Sequence, residues 1–305
     1  MSNFGYHNKA LHINLSNEHT EEVDIDNKVL ELIIGGTGLA TYLLHKYCPP
    51  DTNPLEPSNP LIFASSPLVG TRLTTSSKFA IATKSPLTGL IGDSLSSSYM
   101  ALALKKTGYD AIIITGKRQS TTLLTIKNSS VKFIDAKHLS SKTTSQTESQ
   151  VKNLVGNQFS VCSIGVAGEN LVRFASIAND GGRQAGRTGV GAVMGSKNLK
   201  AIAIHGTNKT SIYDKSSINR IRENLHKKSL GPATEKYRTL GTISNLSVFN
   251  RLNVLPSYNF QQTKFANIEP ITAETTEMTH KSGSAHCANC TIGCEKIFTS
   301  RTESG

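Results

Sequence analysis

The 305-residue chain has no tryptophan, few aromatic residues (6%) and five cysteines. It has no run approaching the ~18 consecutive apolar residues that a membrane-spanning helix needs, so no membrane partner is expected. The opening residues, MSNFGYHNKALHINLSNEHTEE, are broken by polar positions throughout and lack an apolar h-region, which argues against a secretory leader and for the cytoplasm. Tyrosine and phenylalanine do not interleave with basic residues, so the stacking platform of a single-strand nucleic-acid binder is missing. Basic residues still outnumber acidic ones, 33 to 22, giving a formal charge of +11. Such an excess suits an anionic partner, but the bases are scattered in short blocks, as on a solvated surface. No internal repeat is visible, and the Ser/Thr-rich HLSSKTTSQTESQ reads as a surface segment leading into a helix.

The few cysteines are unevenly placed. Cys48 (LLHKYCPP) and Cys162 (FSVCSIG) sit in apolar surroundings and read as buried thiols without chemistry. Cys287, Cys290 and Cys294 crowd into HCANCTIGCEK. A disulfide framework would spread its cysteines along the chain, so a reduced compartment and a metal site are the better reading. Thiolates bind zinc or iron–sulfur clusters, and both require a fourth ligand. Zinc would normally bring a second C-x2-C or a histidine pair, whereas His286 abuts Cys287 and is poorly placed to share a site with it. Gly293 lets the backbone bend round a compact cluster, which favours iron–sulfur.

Elsewhere the pattern is mixed. ALHINLSN alternates apolar and polar residues like a half-buried strand, and LIFASSPL and KFAIATKSP are short β-rich runs closed by proline. YDAIIITGK reads as a strand, and TTLLTIKN with SSVKFIDA as a hairpin turning at Asn128 and Ser129. FSVCSIG, VRFASIA and LKAIAIHG supply three more strands. DNKVLELIIGGTGLATYLLHKY is helical with a break at Gly35, Gly36 and Gly38, SSSYMALALKKTG carries the serine start and glycine end of a capped helix, and TSQTESQVKNLVG is a short amphipathic helix. Strands outnumber helices and come in hairpin-like runs, which predicts an α+β fold. A composition shift after His205 suggests a boundary near residue 208, separating residues 1–208 from a polar, helical 209–305 with too little apolar periodicity for an independent core.

Three stretches invite functional readings. GGTGLA lacks the full G-x-G-x-x-G of a dinucleotide loop and follows a helix, so a helix break or tight packing is the better account. NDGGRQAGRTGVGAVMGSKNLKAI combines six glycines with Arg183 and Arg187; glycine lets backbone N–H groups approach an anion, and guanidinium forks bind phosphate. A phosphate or pterin cradle and a plain glycine-rich turn with two solvated arginines both fit it. In SSKFAIATKSPLTGLIGDSLSSS, Ser96 to Ser98 read as a helix N-terminus, capping the helix or offering N–H groups to an anion.

In order along the chain, GGTGLATYLL, SPLVGT, TKSPLTG, GYDAIIITGK, SIGVAGENLVRFASIANDGGRQAGRTGVGAVMGSKNLKAI, YNFQ and CANCTIGC resemble the tungsten- or molybdenum-dependent aldehyde:ferredoxin oxidoreductase family. The resemblance implies a β-rich platform domain (1–208) that carries a bis-pyranopterin tungsten or molybdenum cofactor, followed by the start of a helical domain (209–305). It also implies a 4Fe-4S cluster, Mg2+ bridging the pterin phosphates, a small aldehyde substrate oxidised to the acid, and ferredoxin as electron acceptor. Homo-oligomerisation is left open, as is the choice of metal.

Matched residue by residue, the resemblance puts the cluster on Cys287, Cys290 and Cys294 and the pterin-phosphate loop on Arg183, Gln184, Gly186 and Arg187. It puts the turn facing phosphates and Mg2+ on Leu95 and Ser97. An arginine linking pterin to cluster falls at Lys78, which keeps the charge and loses the planar fork. The turn reads DSLSSS where well-known members have an asparagine and glycines; its backbone contacts do not depend on side-chain identity and could survive this, with crowding by three serines as the other outcome. In the family the fourth cluster cysteine and the acid and histidine near the metal lie further downstream, so no catalytic residue is assigned here. Residues 1–305 are expected to be an N-terminal portion, inactive alone, completed by further domains in cis or on a separate chain. The alternatives are a cofactor-binding subunit of a split enzyme and a non-enzymatic zinc or nucleic-acid-binding protein.

Overall fold

The computed structural model describes residues 4–299. The chain forms two compact units: Met1–Thr71 with Ser76–Lys215, and Arg72–Thr75 with Ser216–Gly305. The division therefore falls after Lys215, some way past the composition shift, and residues 72–75 go with the later unit.

The first unit is α+β, as its sequence predicts, and contains two six-stranded sheets. Strands β1 (Lys9–Asn14), β2 (His19–Asp24), β3 (Leu61–Ser65), β4 (Lys78–Lys84), β5 (Ile91–Ser97) and β6 (Ala111–Thr115) lie in the order β2-β1-β6-β3-β4-β5. Strands β7 (Thr122–Lys127), β8 (Ser130–Asp135), β9 (Ser160–Ser163), β10 (Ile177–Asn179), β11 (Arg183–Ala185) and β12 (Leu199–His205) lie in the order β11-β10-β9-β12-β7-β8. Each sheet has one parallel pair, β1 with β6 and β7 with β12, and is otherwise antiparallel. Helices α1 (Asn27–Ile33), α2 (Gly36–Tyr47), α3 (Tyr99–Lys106), α4 (Thr144–Val155), α5 (Val166–Glu169) and α6 (Val190–Ser196) complete the unit.

The two-residue period of a strand explains the apolar runs. In β6, Ile112 and Ile114 join a cluster built from both sheets, α3 and α6, together with Phe63, Phe79, Met100, Ile202 and Met194. Ala111 and Ile113 point the other way, onto Leu30, Leu39 and Leu43 of α1 and α2. Strands β7, β9 and β12 likewise turn Leu123, Val161 and Ala203 toward Val151 of α4. A strand covered on both faces has no polar side, hence AIIIT. Each fully buried Ile or Leu contributes ~1.5–3 kcal/mol.

Local chemistry sets the boundaries. The Asp26 carboxylate caps α1 by accepting from Lys28 N, and the helix ends where Ile34 takes φ +68°. A Cβ on Gly38 would sit 2.4 Å from Ile33 Cγ2, so the glycine lets α2 start hard against α1. Thr143 and Gln146 form a reciprocal capping box at the start of α4. Buried Asp110 accepts from Lys105 Nζ, from His7 N (2.9 Å) and from Asn8 N (2.8 Å). Buried Lys197 donates to the carbonyls of Pro57 (3.0 Å) and Gly116 (3.3 Å). Two expectations need correction. VRFASIA is extended only from Ile177, because the preceding residues make hydrogen-bonded turns such as Ala175 N to Val172 O (2.8 Å). Cys162 is buried, but Cys48 is only half-buried at the end of α2.

The second unit holds α7 (Lys215–Ser229), α8 (Pro232–Thr239), α9 (Leu246–Arg251), α10 (Ala273–Thr279) and the antiparallel hairpin β13 (Lys281–Ala285) with β14 (Glu295–Phe298). Segment Arg72–Thr75 docks within it: Thr74 Oγ1 accepts from Thr291 N (3.1 Å).

Candidate functional site

The seven residues matched to the pterin site lie along one seam of the first unit. Strand β5 is the outer edge of one sheet and β11 of the other, and the two pack together. Along β5, Gly92, Ser94 and Ser96 are buried, while Ile91, Asp93 and Leu95 face outward. Leu95 is 57% exposed. Lys78 of β4 is exposed and pairs across the ladder with Ser97. Arg183 and Gln184 belong to β11, and Gly186 and Arg187 follow directly.

Serines of this turn hydrogen-bond to the β10–β11 side of the seam. Ser94 Oγ donates to the Gly186 carbonyl (2.8 Å), Ser96 Oγ to Asn179 Oδ1 (2.6 Å), and Asn179 Nδ2 to the Ser97 carbonyl (3.0 Å). Ser85 Oγ donates to the Thr188 carbonyl (2.7 Å). Gly92 is needed because a Cβ there would meet Ser85 Cβ at 2.9 Å and Thr188 Cβ at 3.0 Å.

The reading of Ser96 to Ser98 as a helix start holds only at Ser98, which occupies the N-cap position of α3. Ser96 and Ser97 finish β5, and Ser98 takes φ +107° with no side-chain capping bond. The cap comes from a distant residue: Asp180 Oδ2 accepts from Met100 N (2.7 Å). Burial pushes the Asp180 carboxyl above its usual range, while the bonds from Met100 and Asn179 pull it back.

The glycines of NDGGRQAGRTGVGAVMGS divide by role. A Cβ at Gly189, Gly191 or Gly195 would approach the carbonyls of Arg173, Ser176 or Gly168 to 2.4 Å or less, so these three pack α6 and do not face a ligand. Gly181 and Gly182 have positive φ in the β10–β11 turn, where Glu148 Oε2 of α4 accepts from Gly181 N (3.0 Å). A cavity of about 420 Å³ lies here, lined by Thr144, Glu148, Lys152, Gly181 and Gly182. Gly186 differs: its φ is not positive and, among the described residues, nothing lies within 4 Å of a Cβ built on it, so none of them requires glycine there. Two residues on, Thr188 Oγ1 is buried with no hydrogen-bond partner among the described residues. An open glycine and the cations Lys78, Arg183 and Arg187 suit an anionic ligand laid along this seam.

Cys287, Cys290 and Cys294 fall in the loop between β13 and β14, half-buried and not disulfide-bonded. Cys290 N donates to the Cys287 carbonyl (2.9 Å). The His286 ring lies where a Gly293 Cβ would be (2.5 Å), and its Nδ1 pairs with the Cys290 carbonyl (3.0 Å), so it braces the loop. Among the described residues, no group of three or more His, Cys, Asp or Glu side chains is gathered closely enough to hold a metal ion. The loop thus brings three soft ligands into one turn-rich segment without closing them on a point. As a donor set they suit an iron–sulfur cluster. Sequence reasoning missed Ser94, Asn179, Asp180 and Glu148; only the Asn-Asp-Gly-Gly turn signal hinted at the middle two.

Together these features give a β-rich unit with basic residues along the β5–β11 seam, and a helical unit with a three-thiol hairpin. Residues 10–206 match the family model "Aldehyde ferredoxin oxidoreductase, N-terminal domain" and residues 218–305 match "Aldehyde ferredoxin oxidoreductase, domains 2 & 3"; the chain belongs to the aldehyde ferredoxin oxidoreductase family. It is 38% identical over 300 residues to the tungsten-containing aldehyde ferredoxin oxidoreductase of Pyrococcus furiosus and 37% identical to that of Thermococcus kodakarensis. An aliphatic sulfonate oxidoreductase, WOR-like subunit, of P. furiosus is 31% identical. In each case the match takes in 96% of this chain and 49% of the relative, so the chain spans about half the length of these relatives. Among solved structures, the active site complex BamBC of benzoyl coenzyme A reductase, in complex with 1,5-dienoyl-CoA, superposes with TM-score 0.81 at 29% identity, covering 98% of this chain and 48% of that one. These matches give no support to the zinc or nucleic-acid reading. No helix among the described residues is long and apolar enough to cross a membrane.

Proposed function

We propose that this chain carries the cofactor platform and part of the cluster-binding region of a tungsten- or molybdenum-dependent oxidoreductase that converts an aldehyde to the carboxylic acid and passes electrons to ferredoxin in the cytoplasm. The observation that carries the reading is the β5–β11 seam, where the matched residues Lys78, Leu95, Ser97, Arg183, Gln184, Gly186 and Arg187 lie together on adjoining sheet edges. Arg183, Arg187 and Lys78 would neutralise the phosphates of a bis-pyranopterin, with Mg2+ between them, and the open face of Gly186 would admit its backbone approach. Outward-facing Leu95 would lie against the apolar part of the ligand and keep water from it. When bound, such a cofactor supplies the two-electron redox chemistry that no amino-acid side chain provides.

Cys287, Cys290 and Cys294 would hold three corners of a 4Fe-4S cluster, with His286 fixing the loop through the Cys290 carbonyl. Anaerobic reconstitution of residues 1–305 with iron and sulfide tests this part. With excess small thiol supplied as the fourth ligand, we expect about four irons per chain, broad absorbance near ~400 nm from thiolate–iron charge transfer, and loss of both on Cys290→Ser. A colourless chain retaining stoichiometric zinc would reject it. Arg183→Ala with Arg187→Ala should abolish retention of the pterin while leaving the iron content intact.

A further inference from the structure

Of the non-glycine residues in the seam, Ser98 has the most strained backbone, φ +107° and ψ −145°, a region that L-residues avoid and glycine enters freely. Such a conformation persists only where its surroundings over-determine it, and here they do. Ser98 N donates to the Ser77 carbonyl (2.9 Å). On one side of Ser98, Asn179 Nδ2 holds the Ser97 carbonyl (3.0 Å); on the other, Asp180 Oδ2 holds Met100 N (2.7 Å). Asn179 Oδ1 also takes the Ser96 hydroxyl (2.6 Å). Asn179 and Asp180 are in turn fixed by the β9–β10 ladder and by Glu148, which accepts from Gly181 N at 3.0 Å.

We infer that Asn179 and Asp180 are positioning residues that clasp the strained Ser97–Tyr99 turn and set the cofactor-facing backbone of β5 before any ligand arrives. The inference rests on the proposed cofactor reading of the seam. It assigns a reason to an otherwise unfavourable arrangement: a serine held where glycine would be at ease, by two side chains that reach it from the opposite sheet. An aspartate at a helix start could be an ordinary cap. An ordinary cap, however, sits beside its helix in sequence and does not bracket a residue of positive φ.

The test is titration calorimetry of residues 1–305 with Mg2+–pyrophosphate as phosphate probe, each variant being checked by thermal melting. Asp180→Ala should weaken binding roughly 10-fold, the loss expected for a charge-assisted hydrogen bond that fixes a binding backbone. Asp180→Asn, which still accepts from Met100 N, should bind within about twofold of wild type. Ser98→Gly added to Asp180→Ala should restore binding, because glycine holds the turn without the clasp; a purely structural role for Asp180 would not be rescued this way. Wild-type affinity for Asp180→Ala, or no rescue by glycine, overturns the inference. If Asp180→Ala does not fold, the double variant decides alone, near-wild-type binding supporting the clasp and weak binding overturning it. If wild type itself fails to bind the probe, the phosphate reading of the seam fails. Amide exchange at Ser98–Ala101 then judges the clasp by itself, with faster exchange in Asp180→Ala required and an unchanged rate refuting it.

Discussion

In the first unit Ile62, Phe63, Ile113 and Ile202 are shielded from solvent, each within a cluster that spans several elements. In the second, the buried apolar side chains among the described residues are Leu73, Ile268, Ala273 and Ala288, while Phe260 and Met278 are 83% and 86% exposed. What orders the second unit is polar. Asn250 bridges the Phe265 N–H and carbonyl (2.7 and 3.0 Å), Thr74 Oγ1 meets Thr291 N, and Lys296 Nζ reaches the Gly293 carbonyl (3.0 Å), the Arg238 carbonyl and Ser284 Oγ (3.0 Å). The first unit is held by burial and tolerates functional strain at Ser98; the second is held by directional bonds that a single substitution can open locally. A rigid half suits a cofactor seam, and a polar half suits a loop whose final shape a cluster would complete.

The contrast can be broken most sharply at Asp110. Asp110→Ala strands the buried Lys105 ammonium and two backbone N–H groups and should cost ~3–5 kcal/mol in urea unfolding; a loss below ~1 kcal/mol would show that Lys105 escapes to solvent. Ile113→Ala should cost ~2–5 kcal/mol by cavity formation between β6 and the α1–α2 layer, with a lowered midpoint at unchanged slope. Asn250→Ala should cost ~1–3 kcal/mol, but only locally: hydrogen exchange should speed up around residues 246–265 and stay unchanged in β6 and β12. Uniform acceleration would erase the distinction between the units.

Lys197 sharpens the comparison through pH. Burial lowers its amine from 10.5 to about 7. Between these values the unfolded chain holds a proton that the native chain does not, so native stability rises with pH, by at most ~1.4 kcal/mol per pH unit. Below about 7 both states are protonated and the penalty for the buried charge is fully present. Lys197→Met should remove this slope between pH 7 and 10 in denaturation curves, and a slope that persists would assign it to another group. The smallest effect is expected at Phe260→Ser, within ~0.5 kcal/mol; a larger loss in thermal melts would mean that this ring is covered in solution.

Legibility followed the range of the forces involved. The amphipathic helix α4, the Asn128 turn and the helix break at Gly35 rest on neighbours in sequence, and each could be read there. Strand β5 could not. IGDSLSS has no β-branched run beyond its first residue, and its buried positions are glycine and serine because their partners are Thr188, Gly186 and Asn179, far along the chain. The same blindness hid the Asp180 cap and made packing glycines such as Gly189 indistinguishable from the open Gly186. The cysteine spacing placed three thiols in one loop, but spacing carries no information on how far their sulfur atoms converge.

The four-residue visit of Arg72–Thr75 to the second unit has a practical result for anyone taking the molecule apart. The polypeptide passes from one unit to the other after Thr71, returns at Ser76 and leaves again after Lys215, so no single cut separates them. A gene fragment ending at Lys215 would carry four residues whose grip on Thr291 has been removed, and one beginning at Ser216 would lack the threonine that its cysteine loop holds. Separate expression of the second unit calls for a tethered copy of the 72–75 segment.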